Sequence, residues 1–160
     1  MRDIYVVGDA NVDIIVPYPR FLNEERTLVD YPNPELVGGG TSANTAVALA
    51  KLGLPVSFLG TIGDDQYGKY IQKDFKEQGV NTADLIVDPK LNTVGVFAFI
   101  DENGERYLWG WPRVDQAFKV LERDKVPFEK IEAADWVHSS GMSLVYDLSL
   151  IHISEPTRPY

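Results

Sequence analysis

Apolar and polar positions along this chain fall into blocks whose period changes several times. Ile4-Tyr5-Val6-Val7 is an unbroken apolar run closed by Gly8, the pattern of a short buried strand. Asp13-Ile14-Ile15-Val16 and Thr27-Leu28-Val29 predict further strands around a loop from Pro17 to Arg26. At Thr41 the period becomes helical. Ala43, Ala46, Val47 and Ala50 fall on one face, with Thr41 or Ser42 expected as the N-cap and Gly53 as the stop. Pro55 to Gly60 reads as a second core strand. Asp64 or Asp65 is placed to cap the next helix, which carries Tyr67, Tyr70, Ile71 and Phe75 on one face and ends at Gly79.

Beyond it, Leu85-Ile86-Val87 predicts a short strand. Thr93 to Ile100 and Glu105 to Trp111 form a hairpin around Asp101-Glu102-Asn103-Gly104, because Asn-Gly supplies the positive φ angles that a tight turn needs. A helix is expected over Phe128 to Ala134 and a strand over Asp135 to Gly141. Strand and helix alternate, with antiparallel hairpins inserted. The pattern predicts an α/β fold with a mostly parallel sheet and a small β flap, in one domain without internal repeats or linkers.

Composition narrows the classes of function. The 160 residues carry 24 acidic and 15 basic side chains, a formal charge of −9, and 44% of positions are hydrophobic. Such a balance argues against nucleic acid and against anionic membranes as partners, since both call for basic patches. There are no cysteines, which excludes disulfides, thiolate metal sites and a cysteine nucleophile. The two histidines, His138 and His152, are too far apart for a histidine metal site. No signal pattern or membrane-length apolar run is present, so the cytoplasm is the default compartment.

Two polar clusters carry the candidate chemistry. The first is Gly8-Asp9-Ala10-Asn11-Val12-Asp13, directly after the first strand; the second is Val37-Gly38-Gly39-Gly40-Thr41-Ser42-Ala43-Asn44, at the start of the first helix. A polyol presents adjacent hydroxyls that donate and accept at once. A carboxylate accepts from two of them, and an amide both donates and accepts. Asn11 and Asp13 offer that pair and, two apart on a strand, would point the same way. Gly39 and Gly40 would add backbone N–H groups, and Asn44 an amide on the first helical turn. The competing readings are an ordinary turn at Asn11-Asp13 and a plain tight turn at the glycines. A dinucleotide loop is the weaker rival, because the G-x-G-x-x-G spacing and a Walker lysine are both missing.

The two clusters in this order, followed by Leu52-Gly53, by Gly60-Thr61-Ile62-Gly63-Asp64-Asp65 with Gly68, and by Asn103-Gly104-Glu105-Arg106, resemble the N-terminal portion of the ribokinase-like (PfkB) carbohydrate kinase family. The resemblance covers residues 3 to 145. It implies a three-layer ribokinase-like sandwich with a β lid built from about residues 13–37 and 93–111. It also implies an enzyme that moves the γ-phosphoryl of ATP, with Mg²⁺, to a hydroxyl of a small sugar or sugar acid. Residues matching Asn11, Asp13, Gly39, Gly40 and Asn44 bind sugar hydroxyls in that family. The lid covers the sugar and often forms a homodimer contact. On it, Val96 and Ala98 would face the substrate by alternation, while Trp109, Trp111 and Arg113 either shape the pocket or pack in the flap or dimer interface. The sequence departs from ribose-specific members at Thr41, where they have lysine, and at Gly141, where they have an acidic sugar contact.

The family's G-A-G-D motif, which holds the catalytic base and an anion hole, is not found. Gly8-Asp9 and Gly63-Asp64 are the only Gly-Asp pairs, and neither has that context. No catalytic base is therefore assigned in this chain, and alone it is expected to be inactive. The segment Leu148-Ser149-Leu150-Ile151-His152-Ile153-Ser154-Glu155-Pro156-Thr157-Arg158 resembles translated read-through of a sequencing-library adapter. The expectation is thus a kinase portion over 1–147 and a non-native tail over 148–160. Two alternatives stand beside the sugar kinase: a nucleoside kinase of the same fold, with an aromatic lid stacking a base, and a non-catalytic sugar-binding or dimerising module.

Overall fold

The computed structural model describes residues 3–17 and 33–142. The expected strand at Thr27 to Val29 and the expected tail from Leu148 lie outside the described residues.

The first strand, β1 (Ile4–Val7), is the centre of the molecule. It lies between β4 (Val56–Leu59) and β9 (Trp136–Ser139) in a three-stranded sheet, parallel to both. Ile4 stands opposite Val56 and Trp136, and Val7 opposite Leu59 and Ser139. All four residues of β1 are buried, as an apolar run without alternation requires of a strand covered on both faces. Ile4, Val6, Val56 and Phe58 face one side and pack with Ala43 and Ala46 of α1 (Thr41–Lys51) and with Ile71 and Phe75 of α2 (Gln66–Gln78). Tyr5, Val7 and Leu59 face the other side and meet Leu121, Val126 and Ile131, the last on α3 (Phe128–Ala133). The result is three layers, helices on both faces of a parallel sheet.

A second sheet grows from the same hub. After Gly8-Asp9-Ala10 the chain enters β2 (Asn11–Pro17), which pairs antiparallel with β3 (Glu35–Gly39) and parallel with β7 (Gly95–Ile100). β8 (Arg106–Trp111) closes the sheet as the second arm of the hairpin, in the order β3-β2-β7-β8. A parallel pair, β5 (Thr61–Gly63) and β6 (Ile86–Asp88), completes the strands among the described residues.

Most expected elements are present within a residue or two. Gly79 ends α2 in the left-handed conformation, and Asp65 caps it, accepting from the Gly68 N–H at 2.8 Å. Two expectations need correction. Gly38 and Gly39 lie in strand β3 rather than in a turn leading to the helix. Neither Thr41 nor Ser42 is the N-cap of α1: Gly40 holds that position, with no side-chain cap of its own. The orphan N–H groups are satisfied from elsewhere in the chain.

Phe58 is fully buried against Phe75, ring centroids 4.8 Å apart, whereas Leu52 is 76% exposed. Phe58→Ala is expected to cost about 3–5 kcal/mol of unfolding free energy, while Leu52→Ala stays within about 0.5 kcal/mol, as read from urea midpoints.

Candidate functional site

The turn that joins the two sheets carries the candidate site. Asp9 is buried between the end of β1 and the start of α1, and its carboxylate takes the place of the missing cap. Oδ2 accepts from the Thr41 N–H at 2.7 Å; Oδ1 accepts from the Ser42 N–H at 3.2 Å, the Ser42 hydroxyl at 3.0 Å and the Ser140 hydroxyl at 2.9 Å. The Asp9 carbonyl accepts from the Ala43 N–H at 3.1 Å. Burial acts to raise the Asp9 pKa, but the bonds from Ser140, Thr41 and Ser42 outweigh it and hold the carboxyl below the usual value. One anion thus ties three segments together, and the helix dipole favours its charge.

Two residues on, Asn11 and Asp13 share a face of β2, and the Asn11 amide donates to Asp13 Oδ1 at 2.7 Å. Burial pushes the Asp13 carboxyl up, against the lowering effect of that bond. The β3 pairing brings Gly39 opposite Asn11. A β-carbon on Gly39 would collide with Asp13 Oδ1 and stand 2.7 Å from Asn11 Nδ2, so only glycine admits the pair at this place. Gly40, at φ 102°, turns the chain from β3 into α1, where a side chain would be strained and would meet the Asp9 carbonyl at 2.7 Å. Asn44 is exposed on the first turn of α1, its N–H bonded to Gly40 O.

Asn11 forms part of the wall of two cavities. One, of ≈ 470 Å³, is also lined by Asp9, Val96, Gly110, Arg113 and Lys119. The other, of ≈ 320 Å³, lies between β3, α1 and α2 and includes Gly39, Asn44, Lys51 and Asp74. The expected residues are therefore divided between the cavities. Val96 joins Asn11 in the larger, Gly39 and Asn44 join it in the smaller, and Asp13, Gly40 and Ala98 line neither. Val96 stands opposite Asp13, and Ala98 opposite Ile15 one pleat further out.

The alternatives at the lid aromatics resolve by register. Trp109 pairs with Phe97 and Trp111 with Gly95, on the face away from Val96 and Gly110. There Phe97, Trp109 and Trp111 pack ring to ring at 6.1 and 6.2 Å. Arg113 lines the larger cavity; neither tryptophan does. Sequence reasoning had no role for Asp9, Gln116 or Lys119. Asp9 acts on donors more than thirty positions away, and local spacing gives no sign of such a cap.

The pfkB family carbohydrate kinase profile matches residues 1–154, and the chain belongs to that family. It is 34% identical over 151 residues to a fructokinase of Vibrio alginolyticus, covering 93% of this chain and 44% of that protein. It is 38% identical over 144 residues to the 5-dehydro-2-deoxygluconokinase of Bacillus subtilis, covering 89% and 42%. Among solved structures, the fructokinase of Xylella fastidiosa with bound ATP superposes with a TM-score of 0.71 at 26% identity, over 86% of this chain and 41% of that one. The chain thus spans less than half the length of these relatives. The fold is the ribokinase-like α/β sandwich expected from the sequence.

Asp9→Ala is expected to destabilise the chain by about 2–4 kcal/mol, through loss of the cap and the stranding of buried donors. Because the folded pKa lies below the ordinary 3.8, the charge contributes its full stability above that pH and loses it as pH falls further. The urea-midpoint difference between wild type and Asp9→Asn should be constant from neutrality to pH ~4 and shrink below it.

Proposed function

We propose that this chain forms the sugar-binding part of an ATP-dependent carbohydrate kinase that phosphorylates a hydroxyl of a small sugar or sugar acid. The observation that carries the reading is the Asn11–Asp13 pair, fixed at 2.7 Å and held against glycine backbone, with Asn11 in the wall of two cavities, in a chain of the PfkB family. The names of the relatives, fructokinase and 5-dehydro-2-deoxygluconokinase, support both substrate classes.

In this reading Asn11 donates to and accepts from one sugar hydroxyl while Asp13 accepts from its neighbour. Gly39, Gly40 and Asn44 complete the polar side. Val96 and Ala98, on the inner face of the lid, cover the apolar edge of the ring and keep water out as the lid closes. Phosphoryl transfer depends on in-line positioning and charge stabilisation. This chain supplies the first through the sugar. Among the described residues no group of three or more His, Cys, Asp or Glu side chains is placed to hold a metal ion; Mg²⁺, which binds through one or two carboxylates and the nucleotide phosphates, goes with ATP in this reading. ATP, the metal and the catalytic base belong in this reading to further sequence of the kind the relatives contain, and the chain by itself is inactive.

The solvent-facing row Tyr107, Trp109 and Trp111 on β8 supports a homodimer through the lid. No helix among the described residues is long and apolar enough to cross a membrane; the cytoplasm remains part of the proposal. The aromatics invoked for stacking a nucleobase lie on the outer face of the lid, so the nucleoside reading loses that support.

In the complete kinase, Asp13→Ala is expected to raise the sugar KM by about ten- to a hundredfold, as fits the loss of one charge-assisted hydrogen bond to the sugar, with the ATP KM within about twofold of wild type. Equal rises in both constants, measured by coupled assay, would remove the assigned role.

A further inference from the structure

The tip of the lid hairpin carries a chemistry that phosphoryl transfer does not use. Asn103 is the one asparagine of the chain followed by glycine. Asn11, Asn44, Asn81 and Asn92 precede valine or threonine, whose branched side chains crowd the next backbone nitrogen. Asn33 precedes Pro34, which has no N–H. The amides of Asn11, Asn81 and Asn92 are also tied down, by Asp13 Oδ1, Ser57 Oγ and Val114 O. The Asn103 side chain has no hydrogen-bond partner among the described residues, and both Asn103 and Gly104 are exposed.

Gly104 stands at φ 81°, and the place its β-carbon would take has nothing within 4 Å, so no side chain shields its nitrogen. What restrains that nitrogen is Asp101. The Gly104 N–H donates to Asp101 O at 3.1 Å, and the Asp101 N–H returns to Glu105 O at 3.0 Å. Asp101 Oδ1 accepts from the Asn103 N–H and from the Glu105 N–H, each at 2.9 Å. The bond from Gly104 is the longest of these and lies at the exposed end of the hairpin, so local fraying opens it without loss of the core. Local opening of such a turn slows a reaction by about tenfold or less. A reaction that had to wait for global unfolding would be slowed by about a thousandfold or more.

We propose that Asn103 is a self-modification site: the folded hairpin converts it to isoaspartate and aspartate, with water as the only co-reactant and Asp101 as the brake. The Gly104 nitrogen gives its proton to hydroxide and attacks the Asn103 side-chain carbonyl carbon. A C–N bond closes a succinimide ring, the bond to Nδ2 breaks, and ammonia leaves with a proton from water. Water then opens the ring. Attack at the former side-chain carbonyl gives aspartate, and attack at the backbone carbonyl gives isoaspartate. Isoaspartate runs the main chain through its own Cβ and Cγ, one methylene longer, between β7 and β8. Its new carboxylate joins Asp101, Glu102 and Glu105 at the tip.

The test is incubation of the 160-residue chain in mildly alkaline buffer beside a synthetic peptide of residues 99–108. At intervals the tryptic fragment 91–106, which holds Asn92 and Asn103, is sequenced by electron-transfer fragmentation. Isoaspartate and aspartate are expected at position 103, with ammonia released in equal amount, at a rate within about tenfold of the peptide's and rising with pH. Asp101→Ala, which removes the side-chain acceptor of the turn, should bring the rate up toward the peptide's. Asn103→Gln should release no ammonia from this fragment over the same period. Slowing beyond about tenfold, or an Asn103 still intact when the peptide has converted, overturns the proposal. Conversion of Asn92 ahead of Asn103 also overturns it. Equal rates in wild type and Asp101→Ala overturn the role of Asp101. Should Asp101→Ala lose its fold by circular dichroism, the ratio of wild type to peptide decides.

Discussion

The buried carboxylate of Asp9 is the constraint on which the rest of this structure depends. A helix that starts immediately after a strand, at a glycine, has no side chain of its own to satisfy its first N–H groups. Here a residue from the other side of the site does so. In the same contact it fixes where β1 ends, where α1 begins and where the chain runs after β9. The cost of burying the charge is met by four donors and by the positive end of the helix. The site residues stand immediately on either side of this anchor, Asn11 in front and Gly39 and Gly40 behind, so their spacing is set by a contact that none of them makes.

The layered fold was legible because its elements declare themselves locally. An unbroken apolar run, a helical stripe ending in glycine, and Asn-Gly between two alternating segments each have one natural reading. What local pattern missed was long-range. Gly38 and Gly39 resemble a turn in sequence, yet they are strand residues because β2 lies alongside, and at Gly39 the Asn11–Asp13 pair needs the room. The α1 cap went to the wrong residues because its acceptor is contributed by Asp9, which no spacing rule connects to Thr41. Asn11 and Asp13 were readable because two-residue spacing on a strand already implies a shared face. Arg113 was readable only as one of three residues near the lid and Lys119 not at all, since only the folded hairpin shows that one cavity takes both.

The division of the polar residues between two cavities has a physical origin. Asn11 stands at the junction of the two sheets, where the antiparallel β3 leaves on one side and the parallel β7 on the other. Each neighbour builds its own recess. β3 with the two helices makes a recess lined by glycine backbone and the Asn44 amide. β7 with its hairpin and the following loop makes one lined by valine and cations. Glycine backbone and valine are therefore segregated by strand, while charged side chains line both recesses and one amide is common to both.

The contacts at Asp9 also impose an order in time. Its bonds to Thr41 and Ser42 span 32 and 33 residues, whereas the bond from Ser140 spans 131. On a ribosome, the turn and the helix that it caps are complete long before Ser140 leaves the exit tunnel. Until then β1 has only β4 as a neighbour, and one face of the central sheet waits for residues not yet translated. The hydroxyl of Ser140 thus acts as a latch, engaging last and joining the late-synthesised strand to a frame already built.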